Sequence, residues 1–162
     1  MTTEFQIAKQ QYQSAGAEVK KVLEEIFGKE SFLPIMDRVK SFEDVRNIYI
    51  KTIDSGALNN IDILSRYNGV NEALRGAVAA MKLSMISAVL NEGWTPDWND
   101  GDQYKYFPWF EYKSGVGFSY SDCDNTYANT YLGSRLCFPD CATAVWFGET
   151  YQDLFKDYLL FN

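Results

Sequence analysis

The chain has 162 residues, 46% apolar, 23% charged and 16% aromatic, with a net charge of -7 and no histidine. This composition is globular, excludes disorder and collagen-like repeats, and suits about one domain. The missing histidine excludes Ser-His-Asp and Cys-His nucleophile pairs, His-ligated zinc or haem and imidazole acid–base steps, and the acidic balance disfavours duplex DNA or RNA as a partner.

Phe5, Ala8, Tyr12, Ala15, Val19, Val22 and Ile26 recur at alternating spacings of three and four. They predict a first helix over Thr3–Phe27 with a heptad seam, stopped by Gly28. Such a seam serves either packing within the chain's own bundle or self-association. A second helical segment, Leu33–Lys40, tolerates Pro34 in its first turn. Ser41-Phe-Glu-Asp44 reads as a capping box, with Asp44 in place of the usual Glu or Gln. It opens a helix through Ile53 with Phe42, Val45, Ile48 and Tyr49 inward. Ser55-Gly56 marks a stop, and Asn60–Tyr67 reads as a short helix. The clearest helix spans Asn71–Asn91, where Leu74, Ala77, Val78, Met81, Met85, Ala88 and Val89 form a stripe. Leu83, Ile86 and Leu90 widen it, which implies burial on more than one side, and Gly93 is its natural stop.

After Gly93 the period shortens to two. Tyr104–Tyr112 reads as a strand in which Pro108 marks an edge position or a bulge. Ser114-Gly115 is a turn, Val116–Ser121 a second strand, Asp122–Asn129 a polar loop and Gly133–Phe138 a third strand. Asp140 then caps a C-terminal helix whose inward stripe is Ala144, Phe147, Tyr151, Leu154, Phe155 and Tyr158. The expected fold class is α+β: N-terminal helices and a central buried helix packed with a small three-stranded antiparallel meander and a C-terminal helix.

Residues 1–93 hold 12 acidic, 11 basic and 7 aromatic side chains, against 10, 4 and 19 in residues 94–162. Neither part is large, so residues 1–162 are read as one composite domain, helical to Gly93 and aromatic and acidic thereafter. Met1–Ala15 lacks the basic stretch and apolar run of a secretory signal. No window reaches the roughly 18 apolar residues that cross a bilayer, so no membrane partner is expected.

The candidate ligand- or partner-binding residues are Trp94, Trp98, Tyr106, Trp109 and Arg135. Trp94-Thr-Pro-Asp-Trp98 and the following strand crowd aromatics beside carboxylates, as a platform for a sugar, a base or a peptide does. The same rings can instead fill a thin sheet–helix core. Arg135, the lone arginine after Gly93, suits a carboxylate or phosphate, or an internal acid. Asp97, Asn99, Asp100 and Asp102 resemble half a calcium loop. Counted from Asp97, however, Gly101 falls at position 5 rather than 6 and the late Glu is missing. Asp122, Asp124 and Asn125 form a second oxygen cluster without a metal pattern. Cys123, Cys137 and Cys141 are one ligand short of a zinc set, so no metal or cofactor is expected. Reduced thiols are the simplest expectation, with one surface disulfide as the alternative for a protein outside the cell.

LNEGWTPDW (90–98), YKYFPWFEY (104–112), SGVGFSYSDCD (114–124), GSRLCF (133–138) and YQDLFKDYLLF (151–161) resemble a family of small uncharacterised proteins. These are encoded in phages and mobile elements of Bacteroides-type gut bacteria. The likeness covers roughly residues 70–161 and implies a mobile-element setting without a mechanism. Pro139–Phe155 departs from it by lacking the basic residues that follow the GSRLCF segment there.

No catalytic constellation emerges. The leading expectation is a non-enzymatic accessory protein, cytoplasmic or virion-associated, that binds a host or element-encoded protein or small ligand through its aromatic acidic part. Two alternatives stand beside it: a virion or assembly component that oligomerises through Thr3–Phe27, and a carboxylate- or thiol-dependent enzyme acting on a glycan or nucleotide.

Overall fold

The computed structural model describes residues 3–53, 56, 66, 72–126 and 136–160. Among them are seven α-helices and one two-stranded antiparallel sheet, an α+β architecture. The chain divides into two units, residues 1–55 and 56–162. The compositional boundary at Gly93 therefore falls inside the second unit, and the central helix belongs with the aromatic part.

In the first unit, α1 (Thr3–Ser14) and α2 (Ala17–Phe27) replace the expected continuous helix. Gly16 is extended (φ -69°, ψ 165°), and α2 folds back so that the Phe5 and Phe27 rings lie 5.4 Å apart. Phe32 stacks on Tyr12 at 4.1 Å, the Tyr12 hydroxyl donates to Glu24, and the Lys20 ammonium lies 5.3 Å from the Tyr12 ring. The physical reason is a balance. A mid-helix glycine costs about 0.5–1 kcal/mol, while each aromatic pair made by folding back contributes about 0.5–1.5 kcal/mol. The seam is divided as a result. Phe5, Ala8 and Tyr12 turn inward or half inward, whereas Val19, Val22 and Ile26 are 51%, 53% and 65% exposed. Hydrogen bonding to the Glu24 carboxylate is the main cause that raises the Tyr12 hydroxyl pKa above its ordinary 10.0.

A 3₁₀ turn (Lys29–Phe32) precedes the segment expected as a helix over Leu33–Lys40, of which α3 (Ile35–Arg38) is the helical part, with Pro34 outside it as the N-cap. The next helix, α4 (Phe42–Thr52), carries the expected capping box: Asp44 N–H donates to Ser41 Oγ at 3.2 Å and Ser41 N–H to Asp44 Oδ2 at 2.8 Å. Lys40 N–H donates to the same carboxylate at 3.0 Å. The Ser41 side chain first, then these backbone donors, hold the Asp44 carboxyl below its ordinary 3.8. Val45 is fully buried. The expected helix Asn60–Tyr67 lies outside the described residues except for Arg66.

In the second unit, α5 (Glu72–Leu90) buries Val78, Ala79, Leu83, Met85, Ile86, Val89 and Leu90, while Leu74 and Ala77 at its start are exposed. At 19 residues it is the longest helix, yet no described helix is long and apolar enough to cross a membrane. Glu92 and Gly93 adopt left-handed backbone (φ 47° and 96°) and reverse the chain into Trp94, whose N–H reaches Asn91 O at 2.8 Å.

Strands β1 (Lys105–Lys113) and β2 (Gly117–Thr126) pair antiparallel around a turn with Gly115 and Gly117 at φ 81° and 89°. Trp109 pairs with Asp122 and Phe110 with Tyr120, so Ser121 bulges one residue past Pro108 and Trp109. The second strand runs five residues beyond the expected Ser121, into the segment read as a polar loop. Helix α6 (Cys141–Thr150) follows its expected cap, Thr143 N–H donating to Asp140 Oδ1 at 2.8 Å, and α7 (Gln152–Leu159) follows Tyr151.

The expected three-stranded meander is a two-stranded hairpin among the described residues. The Gly133–Phe138 strand contributes a single antiparallel bridge, Tyr106 with Phe138 (N···O 3.0 and 2.8 Å), and residues 133–135 lie outside the description. The next positions in this register explain why pairing stops. On one side Pro108 faces Leu136 and has no N–H to donate. On the other, Tyr104 would face Asp140, which is committed to capping α6.

Helix α6 lies directly on the hairpin: a Cβ on Gly148 would come within 2.7 Å of Pro108 Cβ and of the Tyr120 ring. The core is an aromatic chain. Phe110 packs on Phe155 at 4.5 Å, Phe155 on Phe147 at 5.0 Å and Phe147 on Phe138 at 5.0 Å. Helix α7 in turn packs on α5, where Gly76 allows close approach to Asp157 O and Arg75 pairs with Asp157 at 3.4 Å.

A disulfide between Cys123 and Cys141 (Cα–Cα 6.0 Å) ties β2 to the start of α6 and corrects the expectation of three reduced thiols. One disulfide was the alternative expectation, but the pairing was not legible, because the extension of β2 is what brings Cys123 beside α6. Cys137 remains a buried thiol, and desolvation is the main cause that pushes its pKa up to about 11.

Candidate functional site

The loop between α5 and β1 is built around one cation. Lys105 is completely buried at the start of β1, and a buried ammonium requires partners. Its Nζ donates to the carbonyls of Asp100 and Gln103 at 2.9 and 2.8 Å, with the Trp98 ring 5.5 Å away as a cation–π partner. The loop carboxylates make turns: Asp97 Oδ1 accepts from Asn99 N–H, and Asp100 Oδ1 from the N–H groups of Asp102 and Gln103. Among the described residues no cluster of three or more Cys, Asp or Glu side chains is placed to hold a metal ion. Trp98 thus covers Lys105, and the acids that resemble a calcium loop satisfy the loop's own backbone.

The pleat of β1 separates the remaining candidates. Tyr106 shares a face with Pro108 and stacks on Tyr104 at 5.9 Å. Trp109 stands on the opposite face, 43% exposed. Trp94 is half-buried just past the turn that ends α5, and Arg135 lies outside the described residues. Of the described candidates, Tyr106 and Trp109 therefore stand on opposite faces of the strand.

What does form is an apolar pocket of about 160 Å³ between β1 and α7. Phe107, Pro108, Trp109 and Phe110 line it from the strand; Leu136, Phe155, Tyr158 and Leu159 line it from the other side. It exists because pairing with the Leu136–Phe138 segment ends at Pro108, leaving the rest of that strand edge to α7. The Tyr158 hydroxyl and the Trp109 indole N–H are the polar side-chain groups of this lining, which contains neither a nucleophile–base pair nor paired carboxylates. A small, mostly apolar concavity of this kind has the lining of a binding pocket. Of the expected site residues that are described, Trp109 lines it. Phe155 and Tyr158 were legible only as core, since a helix stripe does not announce where it stops being covered, and Leu159 fell outside that stripe.

Register places two acids beside these aromatics. Asp122 pairs with Trp109 and Asp124 with Phe107, and directly opposed residues stand on one face with Cβ atoms about 4.5–5.5 Å apart. Both carboxylates are exposed. The Tyr120 hydroxyl pKa is raised above its ordinary 10.0 by burial first, then by the charges of Asp122 and Glu149.

The outer edge of β2 is occupied by side chains. Tyr120 N–H donates to Gln152 Oε1 at 3.3 Å, Cys123 N–H to Asp122 Oδ1 at 2.7 Å and Asn125 N–H to Asp124 Oδ1 at 2.7 Å. These three main-chain donors, which would otherwise be open to an added strand, are thereby engaged within the chain. No protein-family model matches this chain, and no curated protein or solved structure does.

Proposed function

We propose that this chain is a non-enzymatic binding protein that receives one apolar group in the pocket between β1 and α7, Trp109 forming part of the contact. The observation that carries this is the pocket's size and lining. About 160 Å³ is well below the roughly 300–1,000 Å³ of drug-sized and cofactor sites, and close to the roughly 150 Å³ that holds a benzene molecule. That volume suits a single Leu, Met or Phe side chain of a protein partner, held in a desolvated pocket as interface anchors are. A phage or mobile-element setting rests on the resemblance of residues 70–161. The Cys123–Cys141 disulfide favours the virion over the cytoplasm of the two expected locations, because disulfides persist in oxidising surroundings.

Toluene is the test probe. In two-dimensional NMR it should shift the Leu136 and Leu159 methyl and Trp109 indole signals saturably, and Trp109→Ala should weaken that response. Shifts that fail to saturate, or that fall elsewhere, would remove the proposal.

One observation favours an assembly component as a second reading: Val19, Val22 and Ile26 form an exposed apolar stripe on α2. This narrows the expected self-association surface from Thr3–Phe27 to α2 alone. Light scattering should then show a discrete oligomer that Val19→Gln with Val22→Gln dissolves, and a monomer at every concentration would dismiss it.

A further inference from the structure

We infer that the partner of the β1–α7 pocket is a protein segment carrying one apolar side chain flanked by Lys or Arg. This rests on the binding reading above and adds the partner's chemistry to it.

Three features lead there. The pocket admits one side chain, and main-chain pairing at the outer edge of β2 is pre-empted by Asp122, Asp124 and Gln152. The face that carries Trp109 and Phe107 also carries Asp122 and Asp124, at neighbouring register positions. Finally, the nearby cations do not cancel that row among the described residues. Lys105 is buried under Trp98, Lys113 pairs with Glu111, and neither Asp122 nor Asp124 forms an ion pair. Lys156 stands exposed on α7, between the pocket-lining Phe155 and Tyr158. On the strand side, away from Lys156, a cation flanking the partner's anchor therefore meets carboxylates, and an acidic group there meets like charge. Cations also stack on an exposed indole, so Trp109 adds to the same preference.

Three tripeptides serve as probes: acetyl-Lys-Phe-Lys-amide, acetyl-Gly-Phe-Gly-amide and acetyl-Glu-Phe-Glu-amide, titrated at low salt and followed by the Trp109 and Leu159 NMR signals. Two exposed carboxylates should favour the basic peptide over the acidic one by about tenfold. The margin should collapse at 1 M salt, where screening acts over roughly 3 Å. Asp122→Asn with Asp124→Asn should erase it while keeping acceptors for the Cys123 and Asn125 N–H groups, so the hairpin need not change.

Equal affinities for the three peptides, with toluene still bound, would overturn the charge inference and leave the pocket reading standing. Neither toluene nor peptide binding would overturn both. Basic-peptide binding that ignores Trp109→Ala would place the attraction away from the pocket and defeat the inference. Phenethylammonium binding as tightly as the basic tripeptide would replace the protein segment by a small organic cation.

Discussion

The two units of this chain are stabilised in contrasting ways. In residues 1–55 each helix is short and defined by its ends: the Gly16 interruption, the Gly28 stop, the Ser41–Asp44 capping box. Much of its apolar surface remains outside, in Ile7, Val19, Val22, Ile26 and Leu33. In residues 56–162 the decisive contacts join segments far apart in sequence. Phe110 meets Phe155, Tyr106 meets Phe138, Cys123 meets Cys141 and Asn91 Nδ2 reaches Cys137 O at 2.9 Å. Local signals suffice to shape helices, but a hairpin with a pocket requires partners supplied by distant segments.

The contrast predicts unequal sensitivity to substitution. Phe147→Ala, at the centre of the aromatic chain, should cost about 3–5 kcal/mol in urea denaturation followed by near-ultraviolet dichroism. Cys123→Ser with Cys141→Ser should cost about 3 kcal/mol by the same measurement, since the bridge closes a loop with a sequence separation of 18. Gly148→Ala should destabilise by about 1–3 kcal/mol, because its Cβ meets Pro108 and Tyr120 rather than a flexible chain end. A loss as small as that from Ser41→Ala would show the α6–sheet contact to be as forgiving as a helix end. Ser41→Ala itself should cost about 1 kcal/mol, read in the far ultraviolet.

The smallest expected effect is a pH dependence in the first unit. The Asp44 carboxyl has a folded pKa below its ordinary 3.8, so its hydrogen bonds contribute fully above that value. Their contribution is lost as pH falls below 3.8 and through the lowered folded value. Asp44→Asn should therefore flatten helix loss in an acid titration over that interval.

The sequence was most legible where structure depends on neighbours in the chain. Ser41 and Asp140 act as caps because a side-chain oxygen and an N–H three residues on make a complete interaction. The central helix and the position of Pro108 were readable for similarly local reasons. The helix over Thr3–Phe27 misled because periodicity records which residues are apolar, not whether a glycine lets the chain turn back on itself. The second strand was cut short because Asp122 and Asp124 are polar, and polarity on an exposed face and edge imitates a loop. Of the candidate site, Trp109 was visible as a strand aromatic. The pocket behind it was not, since its far wall comes from α7, about 50 residues later in the chain.

The engaged edge of β2 has a consequence beyond recognition. An open hairpin edge normally templates its own kind, copy after copy, into insoluble ribbons. Here the donors of Tyr120, Cys123 and Asn125 are turned to side chains of the same molecule, and the carboxylates that hold two of them carry like charge. Neighbouring molecules thus repel where they would otherwise zip together. A protein rich in aromatic strand residues can thereby reach high local density without its hairpins seeding fibres.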